Sequence, residues 1–156
     1  MFDSNQPLII GVDGGGTGCR VAIGTALKGI FSDAKGGPAN ASSDPARAVE
    51  NIISTITAAA ANFDIPHATL DAACVHLGLA GVMTDKDAAL ISSALTFANC
   101  TVSDDRPTTV AGALGGADGF VLSIGTGTIV AASRNGSYSY IGGWGFHVSD
   151  QSSGAW

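Results

Sequence analysis

Positive charge is scarce in this chain: seven lysines and arginines stand against thirteen aspartates and glutamates in 156 residues, a formal net charge of −6 at pH 7. No basic run or arginine-rich face is present to neutralise a phosphate backbone, so nucleic acid is not an expected partner. Cysteine is scarcer still. Cys19, Cys74 and Cys100 are odd in number and far apart, with no C-x-x-C pair. That spacing argues against a disulfide framework, a zinc knuckle or an iron–sulfur site within one chain, and buried thiols are the expectation. Long apolar runs are missing too, and the opening "MFDSNQ" is polar and acidic rather than basic and then apolar. A signal peptide and a membrane-spanning helix are therefore not expected, and the chain reads as a soluble cytoplasmic protein without a membrane partner.

Apolar residues make up 46% of the sequence, enough for a respectable core, and glycine and proline punctuate short apolar runs without a low-complexity linker or a repeat of fixed period. "LIIGVD" (8–13), "RVAIGT" (20–25) and "GIFSDA" (29–34) read as strands separated by turns short enough for hairpins. From Asp44 the period changes. Val49, Ile52, Ile53, Ile56, Ala59, Ala60 and Phe63 recur at helical spacing, with Asp44 as N-cap and Pro45 at the first helical position. "ACVHLGLA" (73–80) follows as a buried strand, "DKDAALISSALTFA" (85–98) as a helix, "CTVSD" (100–104) as a strand and "RPTTVAGALGG" (106–116) as a short helix ending on glycine. The order βββαβαβα predicts an α/β domain: a mixed five-stranded sheet, antiparallel at its start and parallel where helices cross over, flanked by helices as in ribonuclease H-like domains. Residues 119–143 carry further strand-like runs with a turn at Asn135-Gly136, the beginning of a second, similar meander, which places a domain boundary between residues 117 and 118.

"GVDGGGTGCR" (11–20) sits where the first strand ends. Glycines at 14, 15 and 16 remove every Cβ from the turn, so backbone N–H groups can approach phosphate oxygens, and Thr17 adds a hydroxyl donor. Asp13, at the strand end, is placed to hold a hydrated Mg²⁺, an ion that keeps most of its waters and takes one or two carboxylates. "SIGTGT" (123–128) repeats the device with Gly125, Thr126 and Gly127. Two such turns facing one cleft would clamp a polyphosphate.

Together "GVDGGGT", "SIGTGT" and "GGWGFHVSDQSSGAW" resemble the sugar kinase and actin-like ATPase superfamily, in particular the N-acetylglucosamine kinase branch of the BadF/BadG/BcrA/BcrD ATPase family. The resemblance covers nearly the whole chain. It implies ATP and Mg²⁺ as cofactors, a small-molecule amino sugar as substrate, and two ribonuclease H-like domains around a cleft, of which this chain would supply the N-terminal one and the start of the second. The family's catalytic aspartate falls on Asp104, which closes the strand "CTVSD" and would act as general base on the sugar hydroxyl. Asp105 is read as a helix N-cap or surface ion-pair partner, because neighbours in an extended chain point to opposite sides.

Sugar contacts are implied for Asn40 in "GGPANAS", for Asp104, for Trp144 in Gly142-Gly143-Trp144-Gly145-Phe146, and for Asp150. The family's Asp-Glu-Gly-Ser is here Asp150-Gln151-Ser152-Ser153, a departure that bears on substrate more than on ATP chemistry. His76 reads as core, His67 as a solvent-exposed turn residue, and His147 lacks a second ligand at metal spacing.

The leading expectation is an ATP-dependent amino-sugar kinase, inactive as an isolated fragment, with a homodimer allowed for. Two other readings stand beside it: an ATPase that activates a 2-hydroxyacyl-CoA dehydratase, and a non-catalytic sugar-sensing fragment.

Overall fold

The computed structural model describes residues 6–125, 127–145, 148, 150 and 152–154. Its first compact unit, residues 1–105, is built on a mixed five-stranded sheet. Strands β1 (Ile9–Gly14), β2 (Cys19–Thr25) and β3 (Gly29–Gly36) form the expected antiparallel meander. β4 (Cys74–Leu79) pairs parallel to β1, and β5 (Asn99–Asp104) parallel to β4, giving the order β3-β2-β1-β4-β5.

Period-two alternation sends Ile10 and Val12, Val21 and Ile23, and Val75 and Leu77 into one core. Helix α1 (Pro45–Ala61) covers it over β2 and β3, contributing Ala48, Ile52, Ile56, Ala59 and Ala60. Its start is the predicted one: the Asp44 carboxylate accepts from Arg47 N–H at 3.0 Å and Pro45 opens the first turn.

Three local expectations are corrected. A four-residue helix, α2 (His67–Leu70), stands where a turn was expected, because Leu70 finds a buried position beneath it. Helix α3 (Asp85–Ser93), opened by a Thr84–Asp87 capping box, stops well before residue 98. The amides of Ala94 and Leu95 bond to Ile91 and Ser92 in tight final turns, while Leu95 and Phe97 reach the core from the loop beyond. His76 is exposed rather than buried: it alternates with Val75 and Leu77, so it faces away from the core that α1 and α3 cover, and its ring nitrogens lie 2.9 Å from Thr101 Oγ1 and 3.2 Å from Ser103 Oγ. The same alternation exposes Cys74 and half-buries Cys100, leaving only Cys19 as a fully buried thiol.

The second unit, residues 106–156, holds a three-stranded antiparallel sheet of β6 (Gly119–Ile124), β7 (Thr128–Arg134) and β8 (Ser137–Gly142) in the order β6-β7-β8. Asn135 and Gly136 both take positive φ, 51° and 73°, as the two-residue β7–β8 hairpin requires. Helix α4 (Asp105–Leu114) follows β5 directly, so the compact units divide at its start, whereas the sequence reading divides the chain after its end.

Candidate functional site

Strands β1, β4 and β5 run parallel, and their carboxyl ends lie level: Asp13 pairs with Gly78, Gly14 with Leu79, and Leu79 with Asp104. This is the edge at which open α/β sheets bind ligands. The β1–β2 turn leaves it as a rigid loop. Gly15 N–H donates to Gly18 O at 2.9 Å, Ala39 N–H to Gly15 O at 2.9 Å, and Ala80 N–H to Gly14 O at 2.8 Å.

The three glycines are absent-side-chain positions for different reasons. A Cβ on Gly14 would lie 2.6 Å from Leu79 Cδ2 and 2.9 Å from Ala39 O, so the protein's own packing demands glycine there. On Gly15 the nearest atom would be Gly18 O at 3.8 Å, and on Gly16 there is nothing within 4 Å. None of the three takes a positive φ. Neither packing nor backbone strain therefore requires glycine at 15 or 16, and the space beside them is open to a ligand.

Two carboxylates meet at the end of β5. Asp104 is the last strand residue and Asp105 the first of α4. Alternation of side chains holds within a strand but lapses where the backbone turns into a helix, so the expected opposite orientation is corrected: the two carboxyls share a hydrogen bond. Burial, then the hydrogen bond to and charge of Asp104, push the Asp105 carboxyl up to about 6 against the opposing pull of its own backbone N–H, and the charge of Asp13 adds to the rise. The sequence reading set Asp105 aside as a helix N-cap or surface ion-pair partner; the signal for its place beside Asp104 was an Asp-Asp pair at a strand end.

Among the described residues no three His, Cys, Asp or Glu side chains are arranged to hold a metal directly. Asp13, half-buried at the strand end beside the open turn, suits the single carboxylate that a largely hydrated Mg²⁺ takes.

Asn40 is committed in part to its own loop. Its Oδ1 accepts from Ser42 N–H at 3.0 Å, Ser42 Oγ at 2.9 Å and Ser43 N–H at 3.0 Å. Gly81, with φ 86°, packs against it: a Cβ there would fall 2.6 Å from the same Oδ1. The loop 38–43 is thus anchored to the end of β4, and Ala41 N–H donates to Ala80 O at 2.8 Å.

In the second unit Asp150 is buried, with φ 61°. Its Oδ1 accepts from Gly143 N–H at 3.1 Å, and its Oδ2 stands where a Cβ on Gly127 would come within 2.8 Å. The turn after β6 is closed by Gly125 N–H to Gly127 O at 2.9 Å, and Gly154 N–H donates to Gly125 O at 2.6 Å. The second glycine turn and the acidic residue after the tryptophan motif are therefore brought together. Trp144 is exposed, between Gly143 and Gly145 at positive φ. Thr126 and His147 lie outside the described residues.

A family model for the BadF/BadG/BcrA/BcrD ATPase family matches residues 10–156, and the chain belongs to that family. It is 33% identical to the glucosamine kinase GspK of Vibrio cholerae, an alignment covering 94% of this chain and 50% of that protein. An N-acetylmuramic acid/N-acetylglucosamine kinase of Clostridium acetobutylicum matches at 23% identity over 94% of this chain and 49% of its own length. The crystal structure of a Chromobacterium violaceum protein provisionally assigned as an N-acetylglucosamine kinase superposes with a TM-score of 0.87 at 36% identity, over 99% of this chain and 54% of that one. At 19% identity and a TM-score of 0.59, covering 85% of this chain and 46% of that one, a ROK family glucokinase of Streptomyces griseus shares the fold. The chain spans about half the length of the curated relatives it matches.

Proposed function

We propose that the complete protein transfers the γ-phosphoryl group of ATP to a hydroxyl of an amino sugar, glucosamine or N-acetylglucosamine, and that these 156 residues supply its N-terminal part, with a domain border after residue 117. The observation that carries this reading is the shared strand edge: the open glycine turn and Asp13 stand at the end of β1, and the Asp104–Asp105 carboxyl pair at the end of β5.

The backbone amides at Gly15 and Gly16, with the Thr17 hydroxyl, donate to phosphate oxygens; Gly125, Thr126 and Gly127 do the same from the second unit. Asp104 accepts the proton of the sugar hydroxyl as its oxygen attacks the γ-phosphorus and the bond to the β–γ bridging oxygen breaks, releasing ADP. Asp105, holding a proton more readily than an ordinary carboxyl, hydrogen-bonds Asp104 and fixes its orientation. Asn40, Trp144 and Asp150 bind the sugar. Mg²⁺, held through water by Asp13, would supply charge neutralisation at the phosphates.

The test is Asp104→Asn in the full-length protein: sugar-dependent ADP release should collapse while Mg·ATP still binds. Turnover within a few-fold of the unaltered protein would remove Asp104 from the mechanism.

A further inference from the structure

His76 has no task in the reaction proposed above, yet its ring is held at both nitrogens. On the face of the sheet turned from the core, the β4–β5 register pairs His76 with Thr101 and Gly78 with Ser103. Nδ1 lies 2.9 Å from Thr101 Oγ1, directly across the strands, and Nε2 lies 3.2 Å from Ser103 Oγ, two residues nearer the carboxyl edge. Gly78 offers no side chain beside Ser103, so no β4 neighbour competes with the ring for that hydroxyl.

Hydrogen-bond bookkeeping places the protons. Ser103 has a single hydroxyl hydrogen, and Oγ donates it to the main-chain oxygen of Asp104 at 2.9 Å. Its oxygen must then accept from His76, which puts the ring hydrogen on Nε2 and leaves Nδ1 to accept from the Thr101 hydroxyl. Val75 O is a second acceptor for Thr101, but at 3.3 Å it is farther than the ring. Donation therefore runs one way, from Thr101 to His76 to Ser103 to Asp104. Hydrogen bonds aligned head to tail in this manner strengthen one another.

The end point gives the chain its role. Asp104 O belongs to the planar peptide group that joins Asp104, the last residue of β5, to Asp105, the first of α4. Turning that peptide changes ψ of Asp104 and φ of Asp105 together, so it sets how the two carboxyls meet and share their hydrogen bond. We infer that His76 is a positioning residue: with Thr101 and Ser103 it holds the Asp104–Asp105 peptide in the orientation that aims the two carboxyls. It acts through Ser103 and not on substrate. What the aimed carboxyls accomplish rests on the kinase reading given above, whereas their orientation by this chain does not.

Two variants of the full-length protein separate the hydrogen bond from the bulk of the ring. His76→Phe keeps a flat ring on the exposed face and removes both nitrogens; His76→Gln returns a donor near the place of Nε2. These bonds face solvent, which replaces them at small net cost, so Tm should scarcely move in either variant. Water does not restore the aim. With Phe, kcat should fall roughly tenfold while KM for sugar and for Mg·ATP stays within about twofold, and Gln should recover most of the loss.

A second measurement needs no activity. With aspartate carboxyl carbons labelled for NMR, and neither nucleotide nor metal added, Asp105 should titrate at about 6 in the unaltered protein and lower in His76→Phe and Ser103→Ala. Cys74→Ser, on the same face of β4 but outside the chain of hydrogen bonds, should leave it in place. An Asp105 midpoint that neither His76→Phe nor Ser103→Ala moves would overturn the inference whatever the turnover. So would a Gln variant as impaired as the Phe variant. A lack of sugar-dependent turnover in the unaltered protein would overturn the kinase reading instead, and the carboxyl titration would still decide the role of His76.

Discussion

Gly14 and Gly16 are both glycines of one turn, yet adding a single methyl group should separate them cleanly. At Gly14 the new Cβ meets Leu79 Cδ2 at 2.6 Å, Ala39 O at 2.9 Å and Ala39 Cβ at 3.0 Å. Leu79 is fully buried and Ala39 is tied by its N–H to Gly15 O, so neither can withdraw without disturbing the β1 and β4 strand ends. Overpacking of this kind costs about 1–3 kcal/mol. The loss of unfolded-state freedom returns about 0.4–1 kcal/mol. Gly14→Ala should therefore be destabilised by about 1–2 kcal/mol, a fall in Tm of roughly 5–15 °C for a unit of this size. Gly16→Ala meets nothing within 4 Å and no positive φ, so its Tm should hold or rise slightly. Its Mg·ATP affinity in the full-length protein should nevertheless fall by roughly tenfold or more, since the methyl group would occupy the space proposed for phosphate. Thermal melting and titration calorimetry on the two variants decide the matter. An unchanged Tm for Gly14→Ala would refute the packing argument, and unchanged nucleotide affinity for Gly16→Ala would reduce the turn to a structural one.

Asp104→Asn should lower kcat by about a hundredfold or more with nucleotide affinity retained, as loss of a general base does; single-turnover kinetics and calorimetry separate the two. Asp105, about 6 in the fold against 3.8 for an ordinary carboxyl, binds more protons folded than unfolded between those values. Stability should therefore decline as pH rises from about 4 to about 6 and then level, and Asp105→Asn should flatten that slope in denaturant titrations. Residues 1–156 alone should melt cooperatively through the first unit yet show no sugar-dependent ADP release, because water exclusion at the phosphates needs both walls of a cleft. Robust turnover by this piece would overturn the two-domain mechanism.

The sheet was readable because its signals are local. Asp44-Pro45 announces α1, and the alternation of Ile10 and Val12 or Val21 and Ile23 fixes which face of each strand turns to the core that this helix helps to cover. What escaped depended on neighbours distant in sequence. His76 looked apolar by the company of Val75 and Leu77, but alternation places it on the opposite face, bonded to Thr101 and Ser103 of β5. α3 appeared longer because Leu95 and Phe97 continue an apolar spacing that the loop, rather than the helix, carries into the core. Of the candidate site, the glycine turn after β1 and the place of Asp104 at the end of β5 could be read from the sequence. The engagement of Asn40 Oδ1 by Ser42 and Ser43, and the burial of Asp150 against Gly127, could not, since each rests on loop geometry that no period encodes. Asp105 was turned away from Asp104 for a related reason: the rule for strands was applied one residue past the strand's end.

Phosphoryl transfer itself is tested most directly by giving the full-length protein Mg·ATP with glucosamine, N-acetylglucosamine or glucose in turn, and following ADP release alongside the mass of the sugar product. ADP and an amino-sugar phosphate should appear in equal amounts, with glucose the poorer acceptor. ATP hydrolysis that no sugar alters, or sugar binding without any turnover, would contradict the assignment of this strand edge to a kinase.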